Sequence, residues 1–537
     1  MRAQAHPRHW PIRLLLPLFC LALWLPGFFT LPATDRDESR FAQATKQMNE
    51  TGDYLRIMNG RVSRLRKPIG VYWLQAPFAA AAGTGLANPI WPYRMPSLLG
   101  GIAAVLATFE AGLVLMSSRQ AAGMAAAMLA ASMILTAEIH IATTDAALLG
   151  ATTFAMMVLA RAWMGARIPA WLAGPFWLSV AAGVLLKGPI TPMVTGLATA
   201  ALCLWERRAA WLAALRPAWG VPLLLAVALP WFVAINMATN GAFFDQAVGG
   251  DLAGKLAGGA ETHGAPPGLH LLLMPLLAFP STVFVFAGLF MAWTQRRDPA
   301  TRFLIAWALP AWLVFEAAPT KLPHYTLPLY PALFLLAAAA IGTAAPYLAS
   351  SASKVGRVVA ILAGFVLAVA AVALPPLLHA PWWLGIPSSA AICIATILAI
   401  KRGPGWALAA AVPLYVCLLH IELPNLSQLW LAPRVMAELR RDWPGMNAAG
   451  VGLALAGYAE PSLVFLTGTR TQLWPSGESV AIELRKGTIK LVVVTDREMA
   501  SFERATHALG MTPKLLGHVD GYNSSRGRWV TLNLLIK

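Results

Sequence analysis

The chain has 537 residues, of which 58% are hydrophobic and 12% are charged, and its mean hydropathy is +0.61. Soluble domains carry about 25% charged residues, so the composition excludes a soluble globular protein and predicts a polytopic membrane protein. The formal net charge of +17 could indicate nucleic-acid binding, but the placement of the basic residues points to membrane topology instead.

Thirteen apolar runs approach the ~20 residues that a membrane-spanning helix needs. The first run, which follows a basic N-terminus, resembles a signal peptide, but its length favours an uncleaved anchor. A fourteenth run, 70–86, contains Pro77 and several glycines, so we expect a re-entrant or interfacial segment there. The predicted spans are 14–30, 95–116, 120–138, 146–160, 170–186, 189–205, 218–235, 269–293, 302–318, 324–345, 358–378, 382–400 and 405–422.

The charges of the connecting loops orient these spans. With thirteen spans, one set of loops carries sixteen basic residues and only two acidic ones, Glu206 and Asp298. Basic loops stay in the cytoplasm, so we predict a cytoplasmic N-terminus and an outer C-terminus. The sixteen are Arg2, Arg8, Arg13, Arg119, Arg161, Arg167, Arg207, Arg208, Arg216, Arg296, Arg297, Arg302, Lys354, Arg357, Lys401 and Arg402.

The first outer loop, 31–93, begins with a dense charged stretch. In "DESRFAQATKQM", Asp37, Arg40 and Phe41 share one face of a helix because they stand at i, i+3 and i+4. Phe41, Ala44 and Met48 continue an apolar stripe, which is typical of a helix in the membrane interface. An aspartate at this position can also be a helix cap, so its role stays open at this point.

The same loop continues with the cationic run "RVSRLRKP", which contains Arg61, Arg64, Arg66 and Lys67. Cations are disfavoured on the outer side of the membrane, so a specific partner must favour them there. Phosphate is such a partner, because arginine contacts it with two N–H groups and lysine as a point charge.

Further ionisable residues lie at the outer ends of later spans. Such residues near membrane depth are candidates for a functional site, although each alone could simply extend to the interface. Their convergence on one side favours a shared site. They are Glu138, His140, Asp145, Lys187, Glu261, His263, Lys321, His324 and Tyr325.

The composition changes to that of a soluble domain near residue 425. "GVGLALAG", "IKLVVVTD" and "GRWVTLNLLIK" predict strands, and "REMASFERATHALG" predicts an amphipathic helix. We therefore predict a transmembrane domain at 1–424, with outer loops at 31–93 and 236–268, and an outer α/β domain at 425–537. All four cysteines lie in apolar runs, so no disulfide framework is expected.

Several enzyme classes lose support because their motifs are absent from the sequence. It contains no Walker loop, no dinucleotide-binding fingerprint, no HExxH and no Gly-x-Ser-x-Gly. Nucleotide-driven chemistry and serine hydrolysis are therefore not expected.

The polar blocks resemble a known family. "DESRFAQATKQMNETGDYL" and "NGRVSRLRKPIGVYWL", followed in order by "TTDAAL", "LLKGPITP" and "KLPHYTLPLYPAL", are similar to the motifs of GT-C type membrane glycosyltransferases. The branch includes the lipid A aminoarabinose transferases and, more distantly, the protein O-mannosyltransferases. The resemblance covers residues 10 to about 345 and implies a bundle of about thirteen helices with periplasmic interfacial helices and a small C-terminal α/β domain.

The family implies a reaction and roles for several residues. A polyprenyl-phosphate sugar would be the donor, a periplasmic-face acceptor such as lipid A would receive the sugar with inversion, and neither a nucleotide nor nucleic acid would take part. Asp37 matches the catalytic carboxylate. Positions near the donor phosphate are matched by Arg40, Lys67 and Tyr325, and other polar positions of the cavity by Asp145 and Lys187.

The chemistry of the remaining candidates completes the predicted site. Asp145 is the second candidate for the catalytic carboxylate, and growing negative charge on the leaving phosphate requires cations. We expect the phosphate to be bound by Arg40, Arg66, Lys67, Lys187, Lys321 and Tyr325. We expect the acceptor side of the cavity to be lined by Glu38, His263 and His324.

Departures from the family pattern leave the sugar and the acceptor open. Arg66 stands where members commonly have an acidic residue that could bind a metal, Ile69 replaces the second proline of the Lys-Pro-Pro motif, and Lys255 replaces an arginine. Because Arg66 removes a carboxylate and adds a repelling charge, we predict no metal cofactor.

Two other interpretations remain. A protein O-mannosyltransferase would use the same donor chemistry on Ser or Thr. A lipid or sugar transporter would translocate its ligand, but such proteins typically show inverted repeats and midplane sites, whereas the charges here lie at one surface. We expect an enzyme of the bacterial inner membrane whose active site faces the periplasm.

Overall fold

A computed structural model describes residues 10–83, 89–116, 118–252, 254, 264–342, 351–442 and 452–537. Most of the described chain is helical. The helices up to residue 442 are Trp10–Trp24, Asp37–Thr51, Gly70–Ala82, Trp91–Leu115, Arg119–Ala131, Met133–Ile139, Asp145–Trp163, Ala170–Lys187, Ile190–Glu206, Pro217–Ala238, Ala242–Phe244, Leu269–Leu277, Thr282–Thr294, Pro299–Ala317, Tyr330–Gly342, Ser351–Leu377, Ile386–Lys401, Pro404–Tyr415, Leu423–Asn425 and Leu431–Asp442.

Shorter helical turns of other types connect several of these. The 3-10 turns are Ala210–Leu215, Pro323–Leu329, Trp382–Gly385 and Ser427–Leu429, and the π-helical segments are Asp245–Leu252 and Val416–Glu422.

Within the described chain, nine helices are long and apolar enough to cross a membrane. Two helices that meet at a bend, Arg119–Ala131 and Met133–Ile139, make a tenth if they form one span. Three further apolar helices are shorter: Pro11–Trp24, Ile190–Glu206 and Thr282–Thr294. The chain is therefore a multi-span helical membrane protein, as predicted. Every apolar run predicted to span the membrane overlaps at least one of these helices, although the run 269–293 is divided between Leu269–Leu277 and Thr282–Thr294.

Close backbone packing fixes the helix that begins at Asp145. A side chain at Gly100 would meet the backbone of Ala147 at 2.5 Å, and one at Gly150 would meet the backbone oxygen of Gly100 at 2.7 Å. Helices in membranes associate through such small residues because van der Waals contact replaces the hydrophobic effect there. The helices Trp91–Leu115 and Asp145–Trp163 therefore hold Asp145 at a defined position.

The helix Asp37–Thr51, called the first-loop helix below, ends at Gly52, whose positive φ of 72° allows its N–H to donate to the carbonyl of Met48. Its N-cap is Arg36, and no side chain caps the helix. The capping interpretation of Asp37 is therefore wrong. The carboxylate of Glu38 instead accepts hydrogen bonds from the N–H of Thr34 at 2.7 Å and from its hydroxyl at 2.8 Å.

The first-loop helix is also buried more widely than its sequence predicts. The predicted stripe of Phe41, Ala44 and Met48 is buried, but so are Gln43 and Lys46 on other faces. The reason is a second cover, since the C-terminal part of the chain also packs on the helix through Phe465 and Thr469. The helix is thus enclosed between two parts of the protein.

The C-terminal part contains a five-stranded mixed sheet in the order β4-β3-β5-β7-β6. The strands are β3 (Leu453–Ala456), β4 (Gln472–Trp474), β5 (Leu491–Thr495), β6 (Lys514–Asn523) and β7 (Arg528–Ile536); a separate two-stranded ribbon in the first loop consists of β1 (Met58–Asn59) and β2 (Val62–Ser63). The helices Pro461–Thr467, Gly477–Lys486 and Asp496–Ala508 lie between the strands along the chain.

Side chains of β3 and β5 alternate between two apolar layers. Leu453 and Val493 pack with the helix Leu431–Asp442 on one face, whereas Ala454 and Val492 pack with Val480 on the other. This is the period of two that a strand imposes. Because both faces are covered, β3 and β5 are continuous apolar runs, and the strands predicted there are present.

Candidate functional site

Asp37 stands at the start of the first-loop helix and remains accessible, with 61% of its side chain exposed. Its Oδ1 lies 3.4 Å from Arg64 Nη2 and 3.7 Å from Arg40 Nη1. The guanidinium of Arg64 lies over the ring of Phe41, 4.5 Å from the centroid. Asp37 is therefore a carboxylate between two arginines that an incoming molecule can still reach.

A second cluster gathers where four helical segments begin or end. Lys187, at the end of the helix Ala170–Lys187, forms a hydrogen-bonded ion pair with Asp145. His324 lies 3.8 Å from Asp145 Oδ1 and 3.4 Å from Glu138 Oε1. Lys187 Nζ also lies 5.2 Å from the ring centroid of Tyr325. Four predicted residues, Asp145, Lys187, His324 and Tyr325, thus meet.

Electrostatic coupling joins the two clusters. The charges of Asp37 and Lys67 both act on His324, alongside those of Asp145 and Lys187. The first-loop helix and the span ends therefore form one charged region rather than two separate sites.

Other predicted residues have structural partners. Glu38 is buried and accepts a hydrogen bond from Arg94 Nε at 2.8 Å and from the N–H of Ala142 at 3.0 Å. Arg94 also donates to the carbonyls of Leu31 at 2.9 Å and Pro32 at 2.9 Å. This buried ion pair fixes the first loop to the bundle, so the carboxylate of Glu38 is occupied by structural partners rather than exposed on the acceptor side of a cavity.

The side chains of Lys321 and His140 likewise form hydrogen bonds with backbone carbonyls. Lys321 is buried and donates to the carbonyls of Ala265 at 2.9 Å and Ala318 at 2.6 Å. The ring nitrogens of His140 lie 2.7 Å from the carbonyl of Thr136 and 2.9 Å from that of Pro26. Neither side chain is brought to Asp37 or Asp145 by a described contact.

Arg66 is exposed and Lys67 is half-buried, and His263 lies outside the described residues, as do Lys255 and Glu261. No group of three or more His, Cys, Asp or Glu side chains within the described ranges could hold a metal ion. The described partners of Asp37, which are arginines, do not fit a divalent cation.

Two residues near Asp37 were absent from the predicted site. Arg64 belongs to the cationic run, but the sequence does not indicate which of its four cations turns toward Asp37. Tyr72 is buried against Phe41, with ring centroids 5.3 Å apart, and experiences the charges of Arg64 and Asp37. Tyr72 belongs to the motif "KPIGVYWL". Of this motif, only Lys67 was included in the predicted site.

The C-terminal part of the chain contacts the first-loop helix directly. Gln43 donates to Thr469 Oγ1 at 2.7 Å, Thr469 donates to Glu50 at 2.7 Å, and Lys46 lies 5.6 Å from the ring centroid of Phe465. Burial lowers the pKa of Lys46, partly offset by Glu50. These contacts support the helix that presents Asp37.

Asp35 lies at the same boundary. Its Oδ1 accepts a hydrogen bond from the N–H of Ser462 at 3.4 Å. Burial, aided by the neighbouring charge of Glu460, raises the pKa of Asp35 to about 6, although the hydrogen bonds from Ser462 act in the opposite direction. The boundary therefore contains a carboxylate that titrates in the mildly acidic range.

Relatives were found by sequence, although no family model matches the chain. An undecaprenyl phosphate-alpha-4-amino-4-deoxy-L-arabinose arabinosyl transferase of Pseudomonas fluorescens is 27% identical over 60% of this chain and 56% of its own length. The enzyme of the same name from Pectobacterium carotovorum is 25% identical over 75% of this chain and 72% of its own length. The chain thus spans little more than half the length of the first relative.

A solved structure has a similar fold. The crystal structure of ArnT from Cupriavidus metallidurans bound to undecaprenyl phosphate matches with a TM-score of 0.75 and 17% identity, covering 98% of each chain. The resemblance to GT-C type glycosyltransferases predicted from the first-loop motifs is therefore confirmed by the fold and by the sequence relatives.

Proposed function

We propose that this chain is an inverting membrane glycosyltransferase, which moves a sugar from a polyprenyl-phosphate donor to a lipid acceptor at the outer face of the inner membrane. The observation that carries the proposal is the arrangement of Asp37, an accessible carboxylate between two arginines, beside the cluster of Lys187, Asp145 and His324. The named relatives and the ArnT-like fold support the same reaction class.

Asp37 acts in this proposal on the acceptor. Its carboxylate takes the proton of the acceptor hydroxyl as the hydroxyl oxygen forms a bond to the anomeric carbon. The bond from that carbon to the donor phosphate oxygen breaks on the opposite face, and its electron pair goes to the phosphate. One displacement of this kind inverts the anomeric configuration.

Cations stabilise the leaving group. As the glycosidic bond breaks, the lipid phosphate gains a full negative charge, which fixed donors stabilise most when no reorganisation is needed. Arg40 and Lys67 on the first loop and Lys187 with Tyr325 at the span ends are the proposed donors. The ion pair with Asp145 fixes the position of the Lys187 ammonium group.

The membrane topology extends the proposal. We infer thirteen spans, made of the nine long helices, the bent pair and the three shorter helices. The N-terminus is then cytoplasmic, and residues 425–537 form a periplasmic α/β domain beside the site. An Ala500→Cys variant, on an exposed helix position, should react with an impermeant thiol reagent in intact spheroplasts, whereas the parent chain should not.

The acceptor in this proposal is lipid A or another envelope glycolipid. Both substrates are amphiphiles whose reacting groups stay at the membrane surface, which is the level at which Asp37 and the span ends meet. The transferase named for the relatives supports an envelope lipid over a protein hydroxyl.

The proposal is tested with purified protein in liposomes. The protein would be incubated with undecaprenyl phosphate that carries a radiolabelled sugar and with extracted envelope lipid. The expected result is transfer of label to the glycolipid fraction and release of undecaprenyl phosphate. Movement of labelled donor across the bilayer without a new glycoside would indicate a transporter and would contradict the proposal.

A further inference from the structure

Asp37 and Asp145 are already engaged by cations. Asp37 has Arg40 and Arg64, Asp145 has Lys187 with His324 nearby, and Glu138 lies against His324 and experiences the charge of Lys187. A positively charged group on a substrate would have to displace one of these partners. Neither Asp37 nor Asp145 is therefore vacant for an ammonium group.

Two polar atoms in the same region have no partner among the described residues. They are Arg64 Nη1 and the hydroxyl of Tyr72, and both atoms are buried. Leaving a buried donor unpaired costs free energy, most of all for a charged one. Both residues adjoin Asp37, since Arg64 contacts its carboxylate and Tyr72 experiences the charges of both.

Arg64 is held in place at this position. Its backbone N–H donates to the carbonyl of Ile57 at 2.7 Å, next to the ribbon of β1 and β2. Its guanidinium lies on Phe41, and only 13% of its side chain is exposed. The ring of Phe41 and the carboxylate of Asp37 hold the planar guanidinium in one orientation, so the direction of Nη1 is fixed. A guanidinium recognises its ligand through such a fixed arrangement of N–H groups.

We infer that Arg64 is a specificity-determining residue that selects a sugar without an amino group, whose hydroxyl or carboxylate oxygen accepts a hydrogen bond from Nη1. This inference rests on the proposed function. An ammonium group beside Arg64 would be repelled by the positive guanidinium. Repulsion between like charges disfavours binding of the wrong ligand. The relatives are named for an amino sugar, so the inference predicts a donor different from theirs.

Neutral and acidic sugars share the chemistry that Arg64 recognises. A hydroxyl oxygen accepts one hydrogen bond, whereas a carboxylate can accept two parallel ones in a shorter, charge-assisted geometry. The tyrosine hydroxyl can donate to the same oxygen or accept from a neighbouring hydroxyl. The experiment therefore includes one donor of each kind.

The test compares three undecaprenyl-phosphate donors, which carry a neutral hexose, a hexuronic acid and 4-amino-4-deoxyarabinose. The measured quantity is kcat/KM for each donor with wild type, Arg64→Gln and Arg64→Lys. Wild type should use the neutral or the acidic donor at least about tenfold better than the amino donor, since like charges meet only in the latter. Arg64→Gln should reduce this ratio about tenfold, and Arg64→Lys should retain it.

The ratio between donors within one variant is insensitive to partial unfolding, because inactive protein lowers all three values equally. Wild-type preference for the amino donor would overturn the inference and leave the proposed function intact. A donor ratio unchanged in Arg64→Gln would also overturn the role of Arg64. Failure to consume any of the three donors, with undecaprenyl phosphate still bound, would contradict the proposed function and the inference together.

Discussion

Asp37 and Asp145 occupy opposite surroundings within one charged region. The side chain of Asp37 is 61% exposed and faces two arginines from the first loop, whereas that of Asp145 is 8% exposed and forms an ion pair with Lys187 at the ends of two packed spans. An accessible carboxylate can accept a proton from a substrate. A carboxylate engaged by a buried lysine is better suited to holding that lysine in place.

The strongest test of this difference is Asp37→Asn. Asparagine keeps the size of the side chain but cannot accept the acceptor's proton, and loss of a general base typically costs about 10²–10⁴-fold in rate. We expect kcat to fall by that amount in the liposome assay, while binding of the donor lipid persists.

Asp53→Asn is the matched control, because Asp53 lies in the same loop and accepts hydrogen bonds from the backbone of Leu55 and Arg56, which asparagine can also accept. Its turnover should stay near that of wild type. Near-wild-type turnover of well-folded Asp37→Asn protein would remove Asp37 from the mechanism and make Asp145 the next carboxylate to test.

The role of Asp145 is tested by a double-mutant cycle with Lys187. Removing one partner of a buried ion pair typically destabilises a protein by about 3–5 kcal/mol, because the other charge remains unpaired. Asp145→Asn and Lys187→Met should each lower the thermal midpoint in detergent. The double variant should recover part of the stability that is lost, and additive losses would contradict the pairing.

Lys67→Ala should separate donor binding from catalysis. A hydrogen bond to a charged group contributes about 1.5–3 kcal/mol, so the KM for the donor should rise roughly 10–100-fold, since 1.4 kcal/mol corresponds to tenfold. The same substitution at Lys514, which is exposed on β6, is the control. A fall in kcat at unchanged donor KM would show that Lys67 does not contact the phosphate in the ground state.

The smallest effect is expected at Asp35, two residues from Asp37. Because the pKa of Asp35 is raised to about 6 when folded, the folded protein holds its proton more tightly than the unfolded chain does. Its contribution to stability is thus greatest below about pH 4 and is lost as the pH rises through 6. Asp35→Asn should remove this dependence and raise the thermal midpoint at pH 7 by about 1–2 °C.

Helix positions were largely predictable from the sequence because lipid-facing and buried positions in a span are both apolar. Each predicted run overlaps a helix, and β3, β5 and β7 were recognisable as apolar strands between turns. The number of spans was harder, since helices such as Ile190–Glu206 are shorter than the ~20 residues that a span needs.

Partnerships between distant residues were not predictable. Lys187 pairs with Asp145 across 42 positions and Glu38 with Arg94 across 56, and no local pattern indicates which opposite charges meet. No pattern in the sequence indicates that Phe465 packs on the first-loop helix or that Glu38 lies in a buried ion pair. Glu38 was therefore assigned to the cavity rather than to the ion pair.

The contact between Gln43 and Thr469 joins residues 426 positions apart, which has a consequence for how the protein is made. Synthesis at about 5–20 residues per second separates these residues by roughly 20–85 s. During that interval the helix that presents Asp37 lacks one of its two covers. A nascent chain that stops before residue 460 contains Asp37 but not this cover, so the first-loop helix gains its second cover only after Phe465 and Thr469 have been made.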